Sequence, residues 1–172
     1  MQVKSILALS SNSEKVGGYL CLLIYSLDFF LVRKITRILI NKISFLLDRE
    51  FKHRLGIRLT DLEYVKYFKG AYCPKLMEGL EELASYAYLS KGVYEWEYII
   101  LDRGRLKTRA GELFEELKNR VKMLGLDWKP VRHIFVSTIR RGALLYKTGR
   151  LVSYTSSLPE VEKTALGNII VI

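Results

Sequence analysis

Apolar residues recur at helical spacing along most of the chain, and the period changes once. The run "GGYLCLLIYSLDFFLV" (17–32) is apolar on nearly every side, the pattern of a helix buried all round. Ser13, in the turn-like stretch before it, is a candidate cap for that helix. From Thr36 onward Leu39, Ile43, Leu46, Leu47 and Phe51 form one stripe, and Gly56 closes it. "TDLE" sets Thr60 and Glu63 at capping-box spacing, which predicts a short helix ended by Gly70. Pro74 suits a first helical turn, and Leu76, Leu80, Leu83 and Ala87 mark the face of the helix it opens. After Gly92 the period becomes two. Tyr94, Trp96, Tyr98 and Ile100 alternate with Glu95 and Glu97, which predicts a half-exposed strand. "DRG" (102–104) reads as a turn and "RLKT" (105–108) as a short return strand. Ala110, Leu113, Phe114, Leu117 and Val121 then mark another helix. The expected elements are helices near 18–32, 36–54, 60–68, 74–89 and 106–123, with a strand through 94–101. Pro130 opens a helical pattern through Tyr146, and "RLVSYTSSLPE" reads as strand and loop.

This pattern predicts a mainly α fold with a small β-hairpin near 93–108. Helix, helix, hairpin and helix in that order resemble a winged-helix element, with the hairpin as its wing. Residues 1–125 are expected to form one helical domain, with 126–172 a helical and irregular extension packed on it. A chain of 172 residues is long enough for one substantial core. The 16-residue run 17–32 is shorter than the ~20 residues a bilayer needs, and Asp28 interrupts it. Both facts argue against a membrane segment, although Arg33 and Lys34 close the run as flanking cations would. The run also lacks the shape of a signal peptide. Cys21 and Cys73 stand far apart with no CxxC pair, as reduced thiols of a cytoplasmic protein would. His53 and His133 have no paired carboxylates near them, which argues against zinc, and nothing calls for another cofactor.

The net charge of +10 is uneven. Residues 33–58 carry eight lysines and arginines against Asp48 and Glu50, and residues 101–150 carry thirteen against five acids. Residues 59–100 between them carry four lysines against seven acids. Two basic zones flanking an acidic one favour an anionic partner, either nucleic acid or an acidic protein surface. A solubilising surface network would leave the same signature. No phosphate-binding glycine loop, nucleophile elbow or HExxH is present, so the sequence predicts no enzyme. Asp48, Glu50 and His53 read as a solvated helix face. "EWE" before "LDRGRLK" only weakly resembles a metal nuclease. For DNA, the candidates are Arg103, Arg105, Lys107 and Arg109 on hairpin and helix, and Arg140 and Arg141 beside Gly142.

The stretch "INKISFLLDREFKHRLGIRLTDLEYVKYFKGAYCPKLMEGLEEL" resembles the Panacea, or SocA-like antitoxin, domain, also described as a phage-associated protein domain. Lys42, Phe45, Leu46, Asp48, Gly56, Leu59, Thr60, Tyr64, Tyr67, Gly70, Pro74, Leu76, Leu80 and Leu83 stand where that family's pattern places such residues. "LKTRAGELFEEL" is similar to its final helical motif, and the likeness covers roughly 34–120. One departure is Ala71, where the family has proline after the glycine. The resemblance implies a mostly helical, non-enzymatic domain that neutralises a toxin by direct contact.

It also gives a reason for the corner "KYFKGAYCPKL" (66–76). Tyr67, Phe68 and Tyr72 supply apolar area there, rimmed by Lys66 and Lys69, a composition suited to a protein interface. The competing reading is that these aromatics pack a helical corner. The expected partner is therefore a protein, a cognate toxin under the resemblance, with DNA the alternative.

Overall fold

A computed structural model describes residues 3–172 as a mainly helical fold with small β elements. Strand β1 (Ser5–Leu7) leads into α1 (Ser13–Phe29), most of which is buried, as the apolar run predicts. Asn12 rather than Ser13 caps α1, its side chain accepting from the Lys15 N–H at 3.1 Å. Strand β2 (Ile35–Thr36) runs directly into α2 (Arg37–Leu55), which Thr36 caps and Gly56 ends at a φ of 74°. Helix α3 (Pro74–Ser85) begins at its proline, and α4 (Arg103–Met123) begins at the cap Asp102.

The helix expected at 60–68 does not form. Its residues build β3 (Arg58–Thr60), parallel to β1, and β4 (Val65–Tyr67), antiparallel to β5 (Gly70–Tyr72). The Thr60 hydroxyl accepts from the Leu62 N–H two residues on, so a local turn wins over the capping box. The expected hairpin is displaced as well. It consists of β6 (Leu89–Lys91) and β7 (Glu97–Ile100), closed by a bond from the Gly92 N–H to the Glu97 carbonyl. Tyr94 and Trp96 lie in its loop and stack on each other with centroids 4.8 Å apart, so their alternation belongs to a loop and not to a strand. "RLKT" is part of the first turns of α4. The stretch expected as strand and loop near the C-terminus is helical, forming α6 (Leu151–Ser156) and α7 (Pro159–Glu162) after the long α5 (Trp128–Lys147).

Helices α1 and α4 pack together, α5 lies along α2, and one buried apolar cluster runs from Ile6 to Ile170. Gly142 lets α5 approach α2 closely, since a Cβ there would lie 2.1 Å from the Ile43 side chain. Strand β2, between α1 and α2, pairs with β7, giving the order β2-β7-β6. Among the described residues no helix is long and apolar enough to cross a membrane.

Candidate functional site

The corner at 64–73 is a β-hairpin seated on buried polar groups. Gly70 (φ 96°) follows the two tip residues, Phe68 and Lys69, and supplies the left-handed turn that a tight hairpin needs. Tyr67 and Tyr72 sit diagonally across the ladder with ring centroids 4.9 Å apart. Phe68 projects beyond them, 93 % exposed. Lys69 is exposed beside it, while Lys66 is half-buried in the strand. Tyr67, Phe68 and Lys69 therefore meet at an open tip, Tyr72 buttresses Tyr67, and Lys66 stands back from them.

Three devices fix the hairpin. The Asn41 side-chain carbonyl accepts from the Cys73 N–H at 2.7 Å, and the Lys42 Nζ donates to the Ala71 carbonyl at 3.0 Å. On the other edge, the Lys66 N–H donates to the Asn168 carbonyl at 2.9 Å and the Ile170 N–H to the Tyr64 carbonyl at 2.8 Å, so the C-terminal stretch pairs with β4. Beneath both, Asp48 is fully buried. Its carboxylate accepts from the Thr60 N–H and hydroxyl, each at 2.7 Å, from the Tyr64 hydroxyl at 2.8 Å and from Arg58 at 3.0 Å. Because Tyr64 gives its proton to Asp48, Ser44 must donate to Tyr64 and Tyr19 to Ser44, a relay linking α1, α2 and the segment before β4.

The electrostatics follow from burial. Desolvation pushes the Asp48 carboxyl up, and Arg58 with the Thr60 and Tyr64 donors pulls it back. Burial, and then the nearby Lys69 charge, push Lys42 down to about 8. Burial pushes the Cys73 and Cys21 thiols up to about 11 each, which makes them poor nucleophiles at neutral pH.

This seam overturns the reading of Asp48 as a solvated residue. The signal that could have found it was the joint presence of Lys42, Asp48, Thr60 and Tyr64 in the resemblance, since polar residues spaced through apolar stripes need partners. Glu50 and His53 lie on the outer side of α2, where His53 and Arg49 meet Glu160 at 3.1 and 2.9 Å.

The DNA candidates are mostly occupied. Arg103 binds Asp28 at 3.0 Å. Arg105 stacks 4.0 Å from the Tyr88 ring and donates to the Tyr86 carbonyl at 2.9 Å. Arg109 donates to the Glu14 carbonyl at 2.7 Å, and Arg141 stacks 4.7 Å from the Tyr154 ring. Lys107 and Arg140 are exposed, on different helices. Helix α3 carries Glu78, Glu81 and Glu82 against Lys75, and Glu81 is paired with Arg37 at 2.8 Å and Lys91 at 3.0 Å. Among the described residues no group of three or more His, Cys, Asp or Glu could hold a metal. No protein-family model, no curated protein and no solved structure matches the chain.

Proposed function

We propose that this chain is a non-enzymatic binding protein of antitoxin-like character, acting by direct contact between its 67–72 hairpin and a partner protein. The observation that carries this reading is Phe68, 93 % exposed at the tip of a hairpin whose base is fastened on both edges and from below. A hairpin backbone held in place before binding has little conformational freedom left to lose when its tip docks. Burying one phenylalanine contributes ~1.5–3 kcal/mol, the scale of an interface hot spot. Lys69 at the rim, and Lys66 behind it, favour an acidic surround on the partner. The likeness to the antitoxin domain supports the same assignment.

The test is co-expression with the product of the adjacent reading frame. The wild-type chain should co-purify with it, and Phe68→Ala should lose it while melting at the same temperature. Co-purification indifferent to Phe68→Ala contradicts the proposal.

A second reading, winged-helix DNA binding, is favoured by the β2-β7-β6 order. It ranks lower because α3, which would then serve as the recognition helix, exposes Glu78 and Glu82 against the single Lys75, while Glu81 is paired with Arg37 and Lys91. A salt-dependent shift of duplex DNA that Lys107→Ala plus Arg140→Ala abolishes would reverse the ranking.

A further inference from the structure

Among the described residues four helices end in the same turn, and two of the four are built at a cost. In each, the N–H of the first residue past the cap bonds the carbonyl three residues back, and the next N–H bonds the carbonyl five back. The pairs are Leu31–Asp28 with Val32–Leu27, Ala87–Ala84 with Tyr88–Leu83, Gly125–Lys122 with Leu126–Val121, and Gly149–Tyr146 with Arg150–Leu145. The turn requires a left-handed residue. Gly125 and Gly149 meet that need freely, whereas Ala87, at a φ of 63°, carries the Cβ penalty on a small side chain. At the end of α1 the position is held by Leu31 at a φ of 65°, with 66 % of its surface exposed. A leucine there is strained and covers little of the core.

Its surroundings point outward too. Phe29, two residues earlier, is 77 % exposed, its ring edge-on to Phe30 with centroids 5.2 Å apart. Cations ring this apolar tip. Arg33 and Arg103 both bind Asp28, the Lys147 Nζ donates to the Phe30 carbonyl, and exposed Arg132 borders the groove between α1 and α5 that Phe29 and Phe30 line. Asp28 is the acid within that ring, and two arginines neutralise it. Lys34 stands apart, 3.8 Å from Glu97.

We infer that the Phe29–Leu31 tip docks on an anionic lipid surface, the Phe29 and Leu31 side chains entering the interface while Arg33, Arg103, Arg132 and Lys147 meet the headgroups. Apolar tips with a basic ring bind in this way without crossing the bilayer. Charge complementarity selects the occupant: four cations surround the single acid Asp28, and a neutral bilayer would not match that net positive charge. The inference is independent of the hairpin's partner and uses no residue of that corner.

The test is flotation of the full chain with vesicles of phosphatidylglycerol and phosphatidylcholine, against phosphatidylcholine alone, at ~0.1 M salt. Wild type is expected to float with the anionic vesicles only and to be released by high salt. Phe29→Ser plus Leu31→Gly should lower the partition at least ~10-fold. Arg132→Ala plus Lys147→Ala should lower it about 5-fold per charge removed. Leu31→Gly alone should weaken flotation while raising the melting temperature, a combination that loss of structure cannot produce. Failure to float, equal flotation on neutral vesicles, or flotation indifferent to the Phe29 and Leu31 changes overturns the inference. Failure to float combined with capture by an acidic protein that both variant pairs abolish would assign the tip to a protein instead.

Discussion

The 64–73 hairpin and the basic start of α4 both stand out in the sequence, and the fold treats them in opposite ways. At the hairpin, buried polar groups turn inward to fix the backbone, which leaves the aromatic tip free. On α4, the arginines turn back onto the chain: Arg103 to Asp28, Arg105 to the face of Tyr88, Arg109 to the Glu14 carbonyl. Side chains drawn back onto the chain in this way offer fewer free donors to a phosphate than their number suggests. A run of positive charge is thus a weaker sign of a binding surface than an aromatic exposed on a fastened backbone.

The widest separation between the two regions is expected in stability. Asp48→Ala strands Arg58, Tyr64 and Thr60 inside the core and should cost about 3–5 kcal/mol in urea denaturation. A loss under ~1 kcal/mol would mean that the seam does not hold the hairpin.

Lys42 gives a pH signature. Its folded value of about 8 lies below the 10.5 of an ordinary lysine. Between these two values the unfolded chain binds the extra proton, so stability rises with pH across that window. Relative to Lys42→Met, the wild type should gain on the order of 2 kcal/mol from pH 8 to 10.5. A flat difference curve would contradict the burial of this ammonium.

Gly70→Ala tests the turn itself. The φ of 96° opposes a side chain there, and so does the Lys42 Nζ, which a Cβ on Gly70 would meet at 2.9 Å. The expected loss is about 1–2 kcal/mol, with partner binding reduced in step. Binding that survives intact would uncouple tip from turn. Smallest is Arg105→Ala, which removes a stacked cation and should cost about 0.5–1 kcal/mol, whereas Lys107→Ala should change stability by less than ~0.5 kcal/mol. Equal effects would remove the contrast between occupied and free cations.

Much of the helical frame was legible because burial writes an unbroken apolar run into α1 and apolar stripes at helical spacing into α2, α3 and α4. The short β elements were not. Strands of two to four residues carry too few positions to show a period of two, and Thr60 and Glu63 satisfy a capping pattern whether or not a helix follows. Tyr94 and Trp96 imitate strand alternation because they stack on each other in a loop. Candidate tip residues could be named from composition alone. Which of them stands free could not, because the exposure of Phe68 and the half-burial of Tyr72 and Lys66 depend on α2 and the C-terminal stretch, far away in sequence.

The central claim is that the hairpin tip, and not the basic face, carries binding. It is tested most directly by titrating the adjacent-frame product into wild type, Phe68→Ala and the Lys107→Ala plus Arg140→Ala double variant, each first shown to be folded. Loss of a central aromatic anchor costs ~2 kcal/mol, so Phe68→Ala should bind about 30-fold more weakly, while the double variant binds within about 3-fold of wild type. Full affinity in Phe68→Ala, together with loss of duplex DNA binding in the double variant, would contradict the account.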